Sequence, residues 1–477
     1  MTSLNRRLSK ARFVLLAAGS LLVTAAPAAA QTPFGEIDRT ATAEVSFSGA
    51  ERGQPIEANG QASISGEGFD AGQEVTLFYG STPLTPNPIV ADSEGKITGA
   101  IAIPAGAASG VHPIIVVAKD PYYATVAELK VSPTIPLSGQ QDYTITQAEE
   151  TRGLYQSAYS AKNNVLFSAS AVGRPPVSES ELLKLDADNL TVLARGTPPD
   201  APAPAPRSGS GNEQPREPGV YAVYGIGVDD SKDTVWATNT RQNTVAVYNQ
   251  DDLSLVKQLP VGTVQHARDV TVDEVLGKAY ATAATTPEIV VFDTTTLEPV
   301  NKIAIRSLKR GEDASVFGLS LDQAAHRLYT VSMSTNEVAI IDTRTDTVEK
   351  VFPIPGARSA IGVAHDPQTG RIYVAAQGSD NLVVLDGDTG AVIADTPVGA
   401  GALNVVFDPV KRLAYVANRG AGTITVIDPD GKIVANLGPA PRANHVSLGK
   451  DGVIYAVDKS NGARDAEADV IMRIAPK

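Results

Sequence analysis

The sequence predicts an all-β protein: a seven-bladed β-propeller closed by an N-terminal strand and preceded by a small β-sandwich. Three observations carry this. One four-strand sentence is written twice in succession, Val363 to Ile393 and Val405 to Val434. Tyr373 and Tyr415 set its period at about 42 residues, the length of a four-stranded propeller blade. Residues 41 to 132 hold several short alternating strands and no helical period.

The chain opens with an export signal. Arg6, Arg7, Lys10 and Arg12 form a basic region, Phe13 to Thr24 an apolar one, and Ala28 to Ala30 a small-residue cleavage site before Gln31. The apolar run is too short to span a bilayer. Arg6-Arg7 raises the twin-arginine route, although the Leu-Ser-Lys that follows matches that signal poorly. Residues 1–30 are therefore expected to be removed, leaving a periplasmic or secreted protein with no membrane span. Loss of the leader's four basic residues takes the formal net charge from −13 to −17. Such a surface repels phosphate backbones and anionic lipid in general, but it does not forbid a local basic patch. With no cysteine anywhere, disulfides, thiolate metal sites, covalent c-type haem and a lipidated N-terminus are excluded.

Residues 31–40 read as a tether. From 41 to 132 the pattern is all-β without the 42-residue repeat. Ala62 to Gly66, Val75 to Tyr79, Ile97 to Ile103, Val111 to Ala118 and Ala124 to Val131 read as strands, which suggests an immunoglobulin-like sandwich. The Gly-x-Gly-Phe-x-x-Gly run from Gly66 to Gly72 resembles bacterial sandwich modules carried beside surface or secreted domains. Residues 133–139 read as a linker.

The repeat fills 140–477. Its second strands align at Val165–Phe167, Val235–Ala237, Ala279–Ala281, Leu328–Thr330, Ile372–Val374, Ala414–Val416 and Ile454–Ala456. Third strands end in Asp186, Asn249, Asp293, Asp342, Asp386 and Asp428, and Ile471–Ile474 is the seventh. Only six fourth strands follow. Tyr143–Gln147 is placed to supply the missing one, closing the ring and hiding its edges. Arg195 to Gly219, rich in Pro, Ala, Ser and Gly, reads as a mobile surface loop without a packed core. Lys459 to Ala468 reads as a polar loop inside the last blade.

Asp386-Gly-Asp388 and Asp428-Pro-Asp430 mimic the start of a calcium loop, but both lack the downstream bidentate Glu. They lie between third and fourth strands, where Asp and Gly favour a hairpin turn. Among the five histidines no pair has i, i+4 ligand spacing; His326 and His365 fall at turns or strand ends. The loops before each innermost strand ring the mouth of the central channel. They carry Tyr155, Tyr224, His266, Arg268, Asp269, Phe317, Arg358, Asn404, Arg442, Asn444 and His445. Arginine forks bind carboxylate or phosphate in paired hydrogen bonds, and aromatic rings stack planar groups. A rim of this kind on an acidic protein points to an anionic or small-polymer ligand; the alternative is a set of solvated loop residues pairing with nearby carboxylates. No nucleophile elbow, phosphate loop or dinucleotide fingerprint is present.

The tetrads Trp236-Ala-Thr-Asn239 and Tyr415-Val-Ala-Asn418 resemble the Tyr-Val-Thr-Asn repeat family of propellers. Gly153–Tyr159, Thr234–Thr240 and Ala468–Ile474 are similar to that family's periplasmic members, over roughly residues 142–477. The resemblance implies a seven-bladed, exported propeller without known catalysis, and association with single-stranded DNA. Of the rim, Arg268 alone, in the His266 to Asp269 run, matches an arginine expected there. The sandwich and the Arg195 to Gly219 loop depart from the plain family plan.

The sequence-based expectation is thus a monomeric, exported, non-catalytic binding or scaffold protein with no cofactor and no metal. Its propeller mouth would hold a protein, a glycan or a small anionic ligand. Single-stranded DNA binding and a lactonase- or lyase-like channel enzyme are the alternatives.

Overall fold

The computed structural model describes residues 42–51, 53–203, 218–459 and 468–477. The expected leader and tether, and the middle of the Arg195 to Gly219 loop, lie outside them. So does nearly all of the Lys459 to Ala468 loop. Among the described residues the chain is all-β, with three short 3-10 turns.

Residues 42–132 form two antiparallel sheets. Glu44–Gly49, Gln61–Glu67 and Ile97–Ala102 make one; Glu74–Tyr79, Gly110–Ala118 and Tyr123–Val131 make the other, with two-residue pieces at its edge. Alternate residues point inward, so Ala62, Ile64, Val75, Leu77, Ile97, Ile114, Val116 and Leu129 share one core between the sheets. The five expected strands are all present. Glu44–Gly49 was not foreseen: its inward Val45 and Phe47 are only half-buried on an edge strand, so the apolar alternation is short.

Seven four-stranded antiparallel sheets then follow one another among the described residues. Their first strands are Leu154–Ser160, Ile226–Asp229, Ala267–Asp273, Val316–Asp322, Ala360–His365, Ala402–Asp408 and Ala443–Leu448. Each packs against the next, and Ala443–Leu448 packs back on Leu154–Ser160. Most of the second and third strands are covered on both faces. Ile372–Ala376 and Leu382–Leu385 are buried at every position, which is why they read in the sequence as unbroken apolar runs. Tyr280, Tyr373 and Tyr415, at one position of the repeat, are fully buried between sheets, as is Trp236.

The hairpin aspartates act as turn caps. Asp386 Oδ1 accepts from the Asp388 and Thr389 amides at 3.0 and 2.8 Å. Asp428 Oδ1 accepts from Asp430 and Lys432 at 3.0 and 2.9 Å. These oxygens are committed to backbone, in keeping with the turn reading. The last sheet takes its fourth strand from Tyr143–Glu149, which runs antiparallel to Val470–Pro476 with Ile145 opposite Ile474.

Two expectations need correction. Arg195 and Gly196 complete the strand Val192–Gly196, where Arg195 pairs with Glu150 and Glu181. The ends of the Pro-rich insert are also pinned, by a bridge between Asp200 and Val220 with Ala201 buried. The segment 133–139 is not a free spacer: Ser138 bridges to Asn436, whose Nδ2 donates to the Ile135 carbonyl at 2.9 Å.

The N-terminal sheets dock on the ring through a buried carboxylate. Asp380, on the loop between the second and third strands of the fifth sheet, accepts from Lys130 Nζ at 2.8 Å and Ser132 Oγ at 2.7 Å. It also accepts from the Gly401 amide at 2.7 Å. This loop lies on the same face of the ring as the loops preceding the first strands.

Candidate functional site

Each first strand begins at that face, so the residues just before or at its start converge on the axis. Tyr155, Arg268, Asp269, Phe317, Asn404, Asn444 and His445 line a recess of about 20 Å³ there, together with Gln156, Gly318, Ile361 and Leu403. Below it a channel of about 370 Å³ runs between the first strands. Asp269, Asn404 and His445 line both spaces, so they form the neck between them. The recess admits a single small polar group at most.

The neck groups are held by hydrogen bonds and burial. Asp269 accepts from the Val270 and Leu319 amides at 3.0 and 2.9 Å, yet desolvation in the neck dominates and pushes its pKa up to about 6. His445 Nδ1 accepts from the Ser157 amide at 3.4 Å; burial, with Arg268 nearby, drives its pKa down to about 3 and keeps it neutral. Asn404 Oδ1 takes the Val446 amide at 2.8 Å. Deeper in the channel wall, Ser320 Oγ lies 2.8 Å from His365 Nδ1, and His365 Nε2 3.6 Å from Asp322.

Above the neck lies a cluster of cations among aromatic rings. The Arg268 guanidinium sits 4.9 Å from the Phe317 ring centroid and 5.3 Å from that of Tyr155, and donates to the Tyr155 hydroxyl. Tyr155 meets Tyr224 edge to face at 5.0 Å. Arg241 Nε donates to the Tyr224 hydroxyl at 3.2 Å. Lys459 Nζ lies 4.8 Å from the Tyr155 centroid and 5.6 Å from that of Tyr224. Arg419 donates to Asn444 Oδ1 at 3.0 Å and to the Lys459 carbonyl at 3.4 Å; Asn444 in turn donates to the Tyr155 carbonyl at 2.6 Å.

The electrostatics of this cluster are strained. Burial, then the neighbouring Arg419, Arg241 and Arg268, bring the Lys459 pKa down to about 8, with Asp469 opposing. Burial also lowers that of Arg419, as do Arg268 and Arg442. Among the described residues no carboxylate forms a salt bridge with Arg241, Arg268, Arg419 or Lys459. Asp469 acts on Lys459 from close by, and its Oδ2 accepts from the Gly153 and Leu154 amides at 2.6 and 2.9 Å.

The remaining expected rim residues fall around this cluster or away from it. Tyr224 belongs to it through Tyr155 and Arg241. His266 is beside it but off the recess; burial, then Arg241 and Arg268, lower its pKa. Arg442 lines a separate cleft of about 480 Å³ between ring and N-terminal sheets, with Arg419, Phe47 and Gln54. Arg358 does not belong to the mouth: it points outward and pairs with Glu128 of the strand Tyr123–Val131 at 2.8 Å. The alignment of loops had no means of showing that the N-terminal sheets draw this arginine aside. Arg241, Arg419 and Lys459 were missed because attention fell on loops before first strands. They follow second strands, directly after Asn239-Thr240, Asn418 and Asp458, and those loops open on the same face. The repeat alignment itself contained that signal.

No family model matches the chain. A curated relative is the uncharacterized protein YncE of Salmonella typhi, 25% identical over 189 residues, which are 39% of this chain and 49% of that protein. The chain thus spans about half the length of the curated relative it matches. Among solved structures, the hydrazine synthase of Kuenenia stuttgartiensis superposes with a TM-score of 0.51 at 15% identity, covering 65% of this chain and 93% of that one. That likeness bears on the fold alone. Together with the four-stranded sheets, these neighbours support a β-propeller protein.

Proposed function

We propose that this chain is an exported, non-catalytic binding protein. It is built as a seven-bladed propeller closed by the Tyr143–Glu149 strand, with an immunoglobulin-like module at 41–132. Its mouth captures an anionic group, a carboxylate or phosphate, presented by a larger partner. The observation that carries this reading is the set of four cations, Arg241, Arg268, Arg419 and Lys459, gathered without a salt-bridge partner among the described residues of an acidic chain. Like charges held together in partial burial repel one another, and a bound anion relieves that repulsion. The recess fits only a terminal group, so the rest of the ligand lies over the rim and the cleft beside it.

The test is a titration of mature protein with pyrophosphate and citrate, read by calorimetry at two salt concentrations. Binding weakened by salt and by Arg268→Ala supports the reading; undetectable binding of both anions at low salt overturns it. Single-stranded DNA is the second reading, favoured by Tyr155, Tyr224 and Phe317 standing beside Arg268, since stacking rings and cations together make single-strand platforms. The net acidic charge counts against a long backbone track. A lactonase- or lyase-like enzyme would draw on convergent metal ligands, and among the described residues no group of three such side chains is found.

A further inference from the structure

Lys459 differs from the protein's other buried-stem lysines in what holds its amine. Lys130 and Lys278 each reach an aspartate, Asp380 and Asp346, at 2.8 and 2.9 Å. Among the described residues Lys459 Nζ reaches only the Gly153 and Ala171 carbonyls, at 3.3 and 3.4 Å, long for an ammonium donor. Two phenol rings flank it and its own backbone is fixed, the amide donating to the Arg442 carbonyl at 3.2 Å and the carbonyl accepting from Arg419. The charged groups facing it are Arg241, Arg268, Arg419 and Asp469. Desolvation and neighbouring cations favour the neutral amine, the arrangement that turns a lysine into a nucleophile toward carbonyl carbon.

We propose that Lys459 is a covalent capture site for ligands carrying an aldehyde or ketone next to a carboxylate. This rests on the anion-binding reading of the mouth: Arg268 and Arg241 hold the carboxylate while the amine reaches the carbonyl. The Nζ lone pair adds to the carbonyl carbon and the C=O π electrons move to oxygen, which takes a proton as the nitrogen loses one. The resulting carbinolamine loses its hydroxyl, after a second protonation, as water. Amine and carbonyl compound therefore give imine plus water, reversibly, with protons exchanged through solvent and no redox partner.

At pH 7.5 an amine titrating at about 8 is roughly one quarter neutral, against about one part in a thousand for an ordinary lysine. Lower basicity takes back part of this advantage. A preference of about tenfold over surface lysines is the expected result.

The experiment treats mature protein with glyoxylate and cyanoborohydride, which reduces the imine to a stable adduct, and maps the adducts by peptide mass spectrometry. Modification concentrated on Lys459, absent in Lys459→Arg and rising in rate through pH 8, supports the proposal. Arg268→Ala should slow trapping of glyoxylate about tenfold more than trapping of propionaldehyde, which has no carboxylate to hold. Equal trapping of both probes in wild type and variant would keep the nucleophile and remove the anion site. Anion binding in the calorimeter with no preference for Lys459 would keep the anion site and overturn this proposal.

Discussion

Asp380 offers the sharpest perturbation of the docking between the N-terminal sheets and the ring. Its carboxylate has no exposed surface, and it accepts three hydrogen bonds, from Lys130 Nζ, Ser132 Oγ and the Gly401 amide. Its backbone is left-handed, with φ of 56°. Asn tolerates that conformation and keeps the shape, so Asp380→Asn removes the charge and turns one acceptor oxygen into a donor, to which the Ser132 hydroxyl must rotate. Hydrogen bonds to a charged group contribute about 1.5–3 kcal/mol each, against about 1 for neutral ones. The loss is therefore about 1 kcal/mol per bond and about 3 kcal/mol in all. Two of the three bonds cross to the N-terminal sheets, so docking itself weakens by about 2 kcal/mol, some thirtyfold in the undocked population. Lys130 is one third exposed and recovers part of its hydration, which limits the cost on that side. The assay is urea unfolding of wild type, Asp380→Asn, Lys130→Met and the double variant, with buried Trp236 reporting on the ring. A coupling energy of about 1.5 kcal/mol or more between the two positions is expected. A coupling indistinguishable from zero, with Asp380→Asn as stable as wild type, would refute the reasoning.

Further outcomes follow from the neck and the cation cluster. Asp269 has its folded pKa raised from the ordinary carboxylate value of 3.8 to about 6, so its contribution to stability is full below the ordinary value and is lost as pH rises through 6. Relative to Asp269→Asn, wild type should lose about 2 kcal/mol between pH 4 and pH 7 in unfolding free energy; parallel pH profiles would rule this out. His445, with a folded pKa near 3, should show a neutral imidazole with Nδ1 unprotonated throughout pH 5–8 by NMR. A midpoint near 6.5 would mean the ring is solvated. Its stabilising effect is present above 6.5 and is lost as pH falls below that value. Removing one like charge from the unliganded cluster with Arg419→Met should leave stability unchanged or raised, despite the lost Asn444 hydrogen bond. A loss above about 2 kcal/mol would mean the cluster is internally balanced.

The ring was legible because its strongest elements are repeated and double-sided. Second strands such as Arg371–Ala376 are buried between neighbouring sheets, and the hairpins repeat an acid or amide cap, Asp386 in one and Asn249 in another. The strand Tyr143–Glu149 was found by counting, since six fourth strands left one vacancy. Glu44–Gly49 escaped because an edge strand with two half-buried apolar residues carries little pattern. At the mouth, Arg268, Asp269, Asn404 and His445 were placed by alignment alone, because strand starts fix position. Arg358 was misplaced for the opposite reason. Its partner Glu128 lies 230 residues away, and no local pattern records a docking contact. Lys459 was read as the start of a polar loop, whereas its amine lies against the rings of Tyr155 and Tyr224, far off in sequence.

The most direct test of the central claim is calorimetric titration of the mature protein with pyrophosphate at low ionic strength, beside Arg268→Ala and Arg358→Ala. The account predicts salt-sensitive binding that Arg268→Ala weakens about tenfold or more, while Arg358→Ala, at the docking edge, leaves it unchanged. Binding lost equally in both variants, or equally tight in all three proteins, would contradict the placement of the site at the propeller mouth.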